Sequence, residues 1–370
     1  MQNQNKPFHN NTPPYQNTYY TPPVFNQGNA PRFSEQQYND IMRHTNELNF
    51  YRDKRKKEIK ELIVTGIAIG CAIIAYILVQ SFVSSVLLIF PGLKELYDSS
   101  SLFQSCFNVI GVHLLAMAIP FSILSLLMKN RYQGPIIPNE KVGFAKGLAW
   151  VGVGMGGCMI ANIATSLVIK LFEICGYELQ KGELSEPDSI FACVCTVVAT
   201  AVVPAVVEEY AMRCCTMGAL KKYGKGFAVF SVSIVFGLLH LNVIQFVFAF
   251  LVGLILGYVT VKTDSIVPAV FIHGFNNGLS VVQDVTTYFS NENVAENVIT
   301  VLYYVWIAAA FIGLIYLAVK KDLFIKKENP VPKEPFALSF GTKLLCLLPG
   351  LTVPLIALIY FTSKTIVPIS

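Results

Sequence analysis

Three short stretches carry residue types that could do chemistry together: VVEEYAMR (Val206–Arg213), FGLLH (Phe236–His240) and HGFNN (His273–Asn277). Each lies in an otherwise apolar run. A glutamate inside a lipid-spanning helix costs about 2.5–3.5 kcal/mol on insertion scales, so two side by side need a reason. On a helix Glu208 and Glu209 project about 100° apart and cannot serve one point equally. Glu209 and Arg213 stand at i, i+4, the spacing of a helical ion pair, which leaves Glu208 as the carboxylate free to act. Phe236 and His240 share that spacing and place an aromatic ring beside an imidazole. His273 and Asn277 share it too, and project from one face.

A carboxylate, two imidazoles and a carboxamide make a hydrolytic set. Glu208 could take a proton from water, and His240 could share that proton or pass it to a leaving amine. His273 and Asn277 could donate to the oxyanion formed when water attacks a carbonyl. Glu208, His240 and His273 could equally be a two-His, one-carboxylate zinc site with an open water position. Spacing does not separate the two, so the cofactor expectation is none or a single Zn. Other hydrolase logics are missing: there is no H-E-x-x-H, no G-x-S-x-G and no G-x-G-D. Cys214 or Cys215 beside Arg213 could be a nucleophile, but packing is the stronger reading.

Each feature also has a plainer explanation. EEYAMR could be the interfacial end of a span, although the first lysine after it comes only at Lys221. His240 or His273 alone would be a packing histidine, and His113 is read that way. Asn277 alone could be interhelical glue. The arithmetic of the hairpin around YGKG favours a site. Glu208 lies sixteen residues before Gly224 and His240 sixteen after it. At about 1.5 Å per residue both then stand at one height above the turn.

The elements that must position these residues are membrane helices. The chain has 370 residues, 54% apolar and only 14% charged, with a mean hydropathy of +0.53. Apolar runs long enough to cross about 30 Å of hydrocarbon recur along it. The expected fold is an all-α polytopic bundle of about eight to nine transmembrane helices. Spans are read at about 61–90, 102–128, 145–172, 189–220, 226–241, 243–261, 265–281, 298–319 and 343–363. Pro349 and Pro354 interrupt the ninth. Lysine and arginine alternate between connections by side, which places the amino terminus in the cytoplasm and, with nine spans, the carboxyl terminus outside. The net charge of +5 is spread over loops without a basic stripe, so no nucleic-acid partner is expected. Nine cysteines lie mostly in apolar runs and read as packing residues rather than a disulfide framework. Residues 1–33 are rich in Asn, Gln, Pro and Tyr and read as disordered. G-x-x-x-G pairs at Gly66/Gly70, Gly152/Gly156 and Gly253/Gly257 point to close helix contacts, though the motif is common by chance.

EEYAMR fits E-E-x-x-x-R, FGLLH fits F-x-x-x-H and HGFNN fits H-x-x-x-N. In order and spacing these resemble the CPBP family, the CAAX-protease and bacteriocin-processing intramembrane endopeptidases, over about residues 140–320. The resemblance implies hydrolysis of a peptide bond in a membrane-associated peptide or protein within the lipid bilayer. Glu208 and His240 would activate water, His273 and Asn277 would stabilise the oxyanion, and Glu209, Arg213 and Phe236 would support the site. The family is often labelled metalloprotease, though a glutamate mechanism without metal also fits. The leader and compact build look bacterial, which implies the plasma membrane and a link to bacteriocin processing or immunity. Division follows at 1–60 (charged leader), 61–137 (amino-terminal helices), 138–325 (catalytic core) and 326–370 (loop and last helix). A non-catalytic immunity protein that sequesters a peptide is the second reading, and a transporter or proton relay the third.

Overall fold

The computed structural model describes residues 34–132, 137–179, 187, 189–324 and 334–368. The disorder expected for residues 1–33 lies outside them. By contacts the chain divides into two units, residues 1–51 and 52–370. In the first, the described residues are helical and mostly exposed. Their helix begins on a reciprocal cap: the Gln37 amide donates to Ser34 Oγ (3.2 Å) and the Ser34 amide to Gln37 Oε1 (2.9 Å).

Ten helices make up the described fold. In chain order they are α1 (Glu35–Ile89), α2 (Pro91–Ser99), α3 (Ser101–Met128), α4 (Phe144–Ile174) and α5 (Ile190–Tyr223), followed by α6 (Lys225–Leu238), α7 (Val243–Thr263), α8 (Val267–Phe289), α9 (Glu292–Val319) and α10 (Phe340–Thr365). Ser100, Ser189, Asn242, Asn291 and Ser339 each accept a backbone N–H at a helix start, meeting donors that have no partner within the helix. A two-stranded antiparallel ribbon pairs β1 (Tyr177–Leu179) with β2 (Ile366–Pro368).

Nine helices occupy the nine expected spans, but only seven are long and apolar enough to cross a membrane by themselves: α1, α3, α4, α5, α7, α9 and α10. The other two, α6 and α8, carry the second and third motifs. With 14 residues, α6 is short. His273, Asn276, Asn277, Gln283 and Asp284 dilute the apolar character of α8. Site residues thus lower the hydropathy of α8, whereas α6 is apolar and set apart by its length alone. The last helix is continuous through Pro349 and Pro354, as membrane helices allow where neighbours satisfy the freed carbonyls.

Side-chain contacts gather the basic connections at one end of the bundle. Lys146 and Lys262 both reach Asp322 (2.6 and 3.1 Å), Lys221 pairs with Asp264 (2.8 Å), and Lys222 with Glu61 (2.8 Å). The lysine-poor loop after α4 pairs instead with the carboxyl-terminal strand.

All three G-x-x-x-G pairs sit where helices touch. A Cβ at Gly152 would lie 2.6 Å from the Ala309 carbonyl of α9, and one at Gly253 would lie 3.1 Å from Ser233 of α6; Gly66 and Gly70 face Leu347 and Gly350 of α10. Small residues here let backbones close to van der Waals contact, the main attraction between helices in lipid. Outward faces stay apolar, with Phe311, Ile312, Ile315 and Val319 of α9 more than half exposed.

Candidate active site

Helix α5 carries the acidic pair, and its backbone widens on both sides of it. Turns over Val198–Val202 and Tyr210–Thr216 are π-helical, bracketing a normal helix over Val203–Glu209. Pro204 supplies a cause for the first widening, because proline has no N–H for the carbonyl four residues back and its ring crowds that carbonyl. That carbonyl belongs to Thr200, and it accepts the Asn277 amide at 3.3 Å. A helix defect one turn before Glu208 thus anchors the carboxamide of the third motif.

The two glutamates have unlike surroundings. Glu209 is fully buried. Its Oε2 accepts Arg213 Nε at 2.8 Å, and its Oε1 accepts the Nδ1–H of His273 at 3.0 Å. The first contact is the expected ion pair. The second was not legible from spacing, because it crosses 64 positions of sequence. Arg213 is buried as well, its guanidinium carbon 5.9 Å from the centre of the Phe236 ring.

Glu208 faces open space. Its side chain lies between a cavity of about 470 Å³ lined by Tyr76, Gln80, Ser84, His240 and Gln245, and another of about 340 Å³ lined by Asn108, His113, Thr200 and Asn277. Glu208 Oε2 is 3.7 Å from His273 Nε2, and Oε1 is 4.0 Å from His113 Nδ1. His113, expected to be a packing residue, therefore stands at the site.

His240 is in the turn just past the end of α6 rather than within a span. Its Nδ1–H donates to the Phe236 carbonyl at 3.0 Å, satisfying one of the carbonyls that a helix end leaves open. Leu241 takes a left-handed conformation (φ 52°), and Asn242 then caps α7. Phe236 is central: its ring meets His240 edge-on at 5.2 Å and His273 at 5.8 Å. The first and last helices complete the larger cavity through Tyr76 and Phe361.

The seven expected site residues are therefore brought into one region, in two tiers. Glu208, His240, His273 and Asn277 border the cavities or the free carboxylate, while Glu209, Arg213 and Phe236 hold them from behind. The zinc alternative is not matched by this arrangement: among the described residues no three His, Cys, Asp or Glu side chains are grouped to hold a metal ion. Glu208 and His273 approach each other, but His240 does not join them in a three-ligand group. The nine cysteines are unbridged, and Cys214 and Cys215 are buried.

Residues 190–279, which include all seven, match the family model described as type II CAAX prenyl endopeptidase, Rce1-like. No curated protein and no solved structure matches the chain.

Proposed function

We propose that the protein, whose residues 190–279 match the Rce1-like CAAX prenyl endopeptidase model, is an intramembrane endopeptidase that hydrolyses a peptide bond of a membrane-associated peptide or protein. One observation carries this reading: the Glu208 carboxylate lies open to two cavities and 3.7 Å from His273, while its neighbour Glu209 is fully engaged.

Glu208 takes a proton from a water molecule as the water oxygen bonds to the scissile carbonyl carbon, and the carbonyl electron pair moves to oxygen. His273 and Asn277 receive that oxyanion. Asn277 uses one amide hydrogen on Thr200, which leaves its second for the substrate. His273 gives its Nδ1–H to Glu209, so only a protonated Nε2 can donate. Glu208, Glu209 and Arg213 sum to one negative charge, and the second proton on His273 brings the cluster to neutrality, the arrangement a low-dielectric site favours. His240 likewise commits its Nδ1–H, here to a carbonyl, which leaves Nε2 as the nitrogen that can share a proton with Glu208. The proton then passes to the amine nitrogen as the C–N bond breaks.

The test is Glu208→Gln, with cleavage of membrane peptides compared between cells and detergent preparations of the wild type and the variant. The variant should fold and accumulate uncut substrate; unchanged cleavage ends this reading. We further infer that the lysine-rich end faces the cytoplasm, since the contacts that gather those lysines agree with the positive-inside pattern. A membrane-impermeant maleimide should then label the exposed Cys175, at the opposite end, in intact cells. Labelling that requires cell lysis would reverse the orientation.

A further inference from the structure

We infer that His113 is a positioning residue for the catalytic carboxylate, holding Glu208 from the side opposite His273. The inference rests on the reading of Glu208 as the base and extends the site beyond the matched segment, to helix α3.

The geometry is a carboxylate held between two imidazoles. Oε1 faces His113 Nδ1 at 4.0 Å, and Oε2 faces His273 Nε2 at 3.7 Å. His113 Nδ1 is buried and has no hydrogen-bond partner among the described residues. Such an atom destabilises the fold when left unsatisfied, a cost that an apolar residue would avoid if the position served packing alone. The nearest carboxylate oxygen is about 1 Å beyond hydrogen-bond reach. Catalytic hydrogen bonds are often long before substrate binds and tighten in the bound complex, so a small rotation of the Glu208 carboxylate closes the gap.

Two further features point the same way. His113 lies in the middle of a π-helical stretch, Val109–Ala118, and such widened turns gather at functional sites. It also lines the cavity that Asn277 and Glu208 share, whereas His240 lines the other. A donor at Nδ1 would fix the plane of the carboxylate, so that one oxygen is held while the other meets water. Both oxygens would otherwise swing between the two chambers.

The test compares substitutions of like size that differ in where they carry a donor. His113→Asn sets an amide nitrogen close to the Nδ1 position, and His113→Leu keeps a similar shape with no donor. Kinetics per folded enzyme and the unfolding midpoint are measured for each beside Glu208→Gln. We expect His113→Leu to lower kcat at least tenfold with KM within twofold, and His113→Asn to recover most of the loss at a similar midpoint. If the leucine variant matches or exceeds the asparagine variant in kcat, His113 is a packing residue and the inference is overturned. Should the leucine variant not fold, His113→Gln, whose amide sits one bond farther out, replaces it. A lower kcat than asparagine supports the inference, and an equal one overturns it. Retained cleavage in Glu208→Gln overturns the base and His113's role together. An inactive Glu208→Gln with a fully active leucine variant overturns only the latter.

Discussion

Glu208 and Glu209 share a peptide bond, yet one borders two cavities and the other has no exposed surface. On the buried side of α5, Glu209 accepts from Arg213 and His273 in a pocket closed by Phe236. On the open side, Glu208 has two imidazole nitrogens within 4.0 Å and no hydrogen bond to either. The contrast teaches that burying one acid with its partners equips the other. The dry cluster fixes the ring of His273, and through that ring it sets the group that faces the reactive carboxylate. An acid with both oxygens engaged is a poor base, whereas one with loose contacts can take a proton and give it up.

The largest test of that contrast is Glu208→Gln, which keeps shape and removes the base. Loss of a positioned general base costs about 10²–10⁴ in rate. Cleavage should fall by at least that range in a peptide assay, with the unfolding midpoint unchanged. A fall in midpoint instead would place Glu208 among the supports and erase the distinction.

Glu209→Gln should act on both measures. Breaking a buried pair costs about 3–5 kcal/mol, because the remaining charge loses its partner, and here Arg213 and His273 both lose one. Thermal unfolding in detergent should shift down by several degrees, with activity reduced. A variant as stable as wild type would remove the ion pair from the account.

A smaller effect belongs to a third carboxylate, far from the chemistry. Burial disfavours the Asp322 carboxylate, but the hydrogen bonds and charges of Lys146 and Lys262 outweigh it and hold its pKa below the ordinary aspartate value. A group shifted this way stabilises the fold above its unfolded pKa and loses that contribution as pH falls through the lower folded one. Unfolding midpoints measured from pH 6 down to pH 3 should therefore fall more for wild type than for Asp322→Asn. The difference should be about 1 kcal/mol or less, as for other partly exposed pairs. An identical acid limb in both would show that the lysines do not stabilise this end.

The smallest expected change is from metal removal. No trio of metal-binding side chains is grouped among the described residues, so dialysis against a strong chelator should leave cleavage intact, with no stoichiometric zinc by elemental analysis. Activity lost on dialysis and restored by zinc would make Glu208 a metal ligand rather than a free base.

Much of this was legible beforehand for local reasons. An i, i+4 spacing on a helix joins Glu209 to Arg213 and sets Phe236 beside His240, and both contacts are present. Lysine alternation anticipated which loops share an end, because that pattern follows from the membrane rather than from packing. The spans read at 226–241 and 265–281 hold α6 and α8, although α6 is short and polar site residues lower the hydropathy of α8. Glu209 as the partner of His273, and His113 as the neighbour of Glu208, could not be read at all. Each joins helices far apart in sequence, and a lone histidine in an apolar run has the same pattern whether it packs or acts.

By itself the sequence determined the apolar segments, the glycine faces and the pairs within one helical turn. These depend on side-chain chemistry and on fixed helical periods of 3.6 residues. Tertiary structure decided which nitrogen of each imidazole is committed, which glutamate stays open and how Pro204 frees the Thr200 carbonyl for Asn277. Those outcomes depend on rotations between helices and on π-helical turns that shift a face by a fraction of a turn. No spacing rule carries that information, because it arises only when the helices meet.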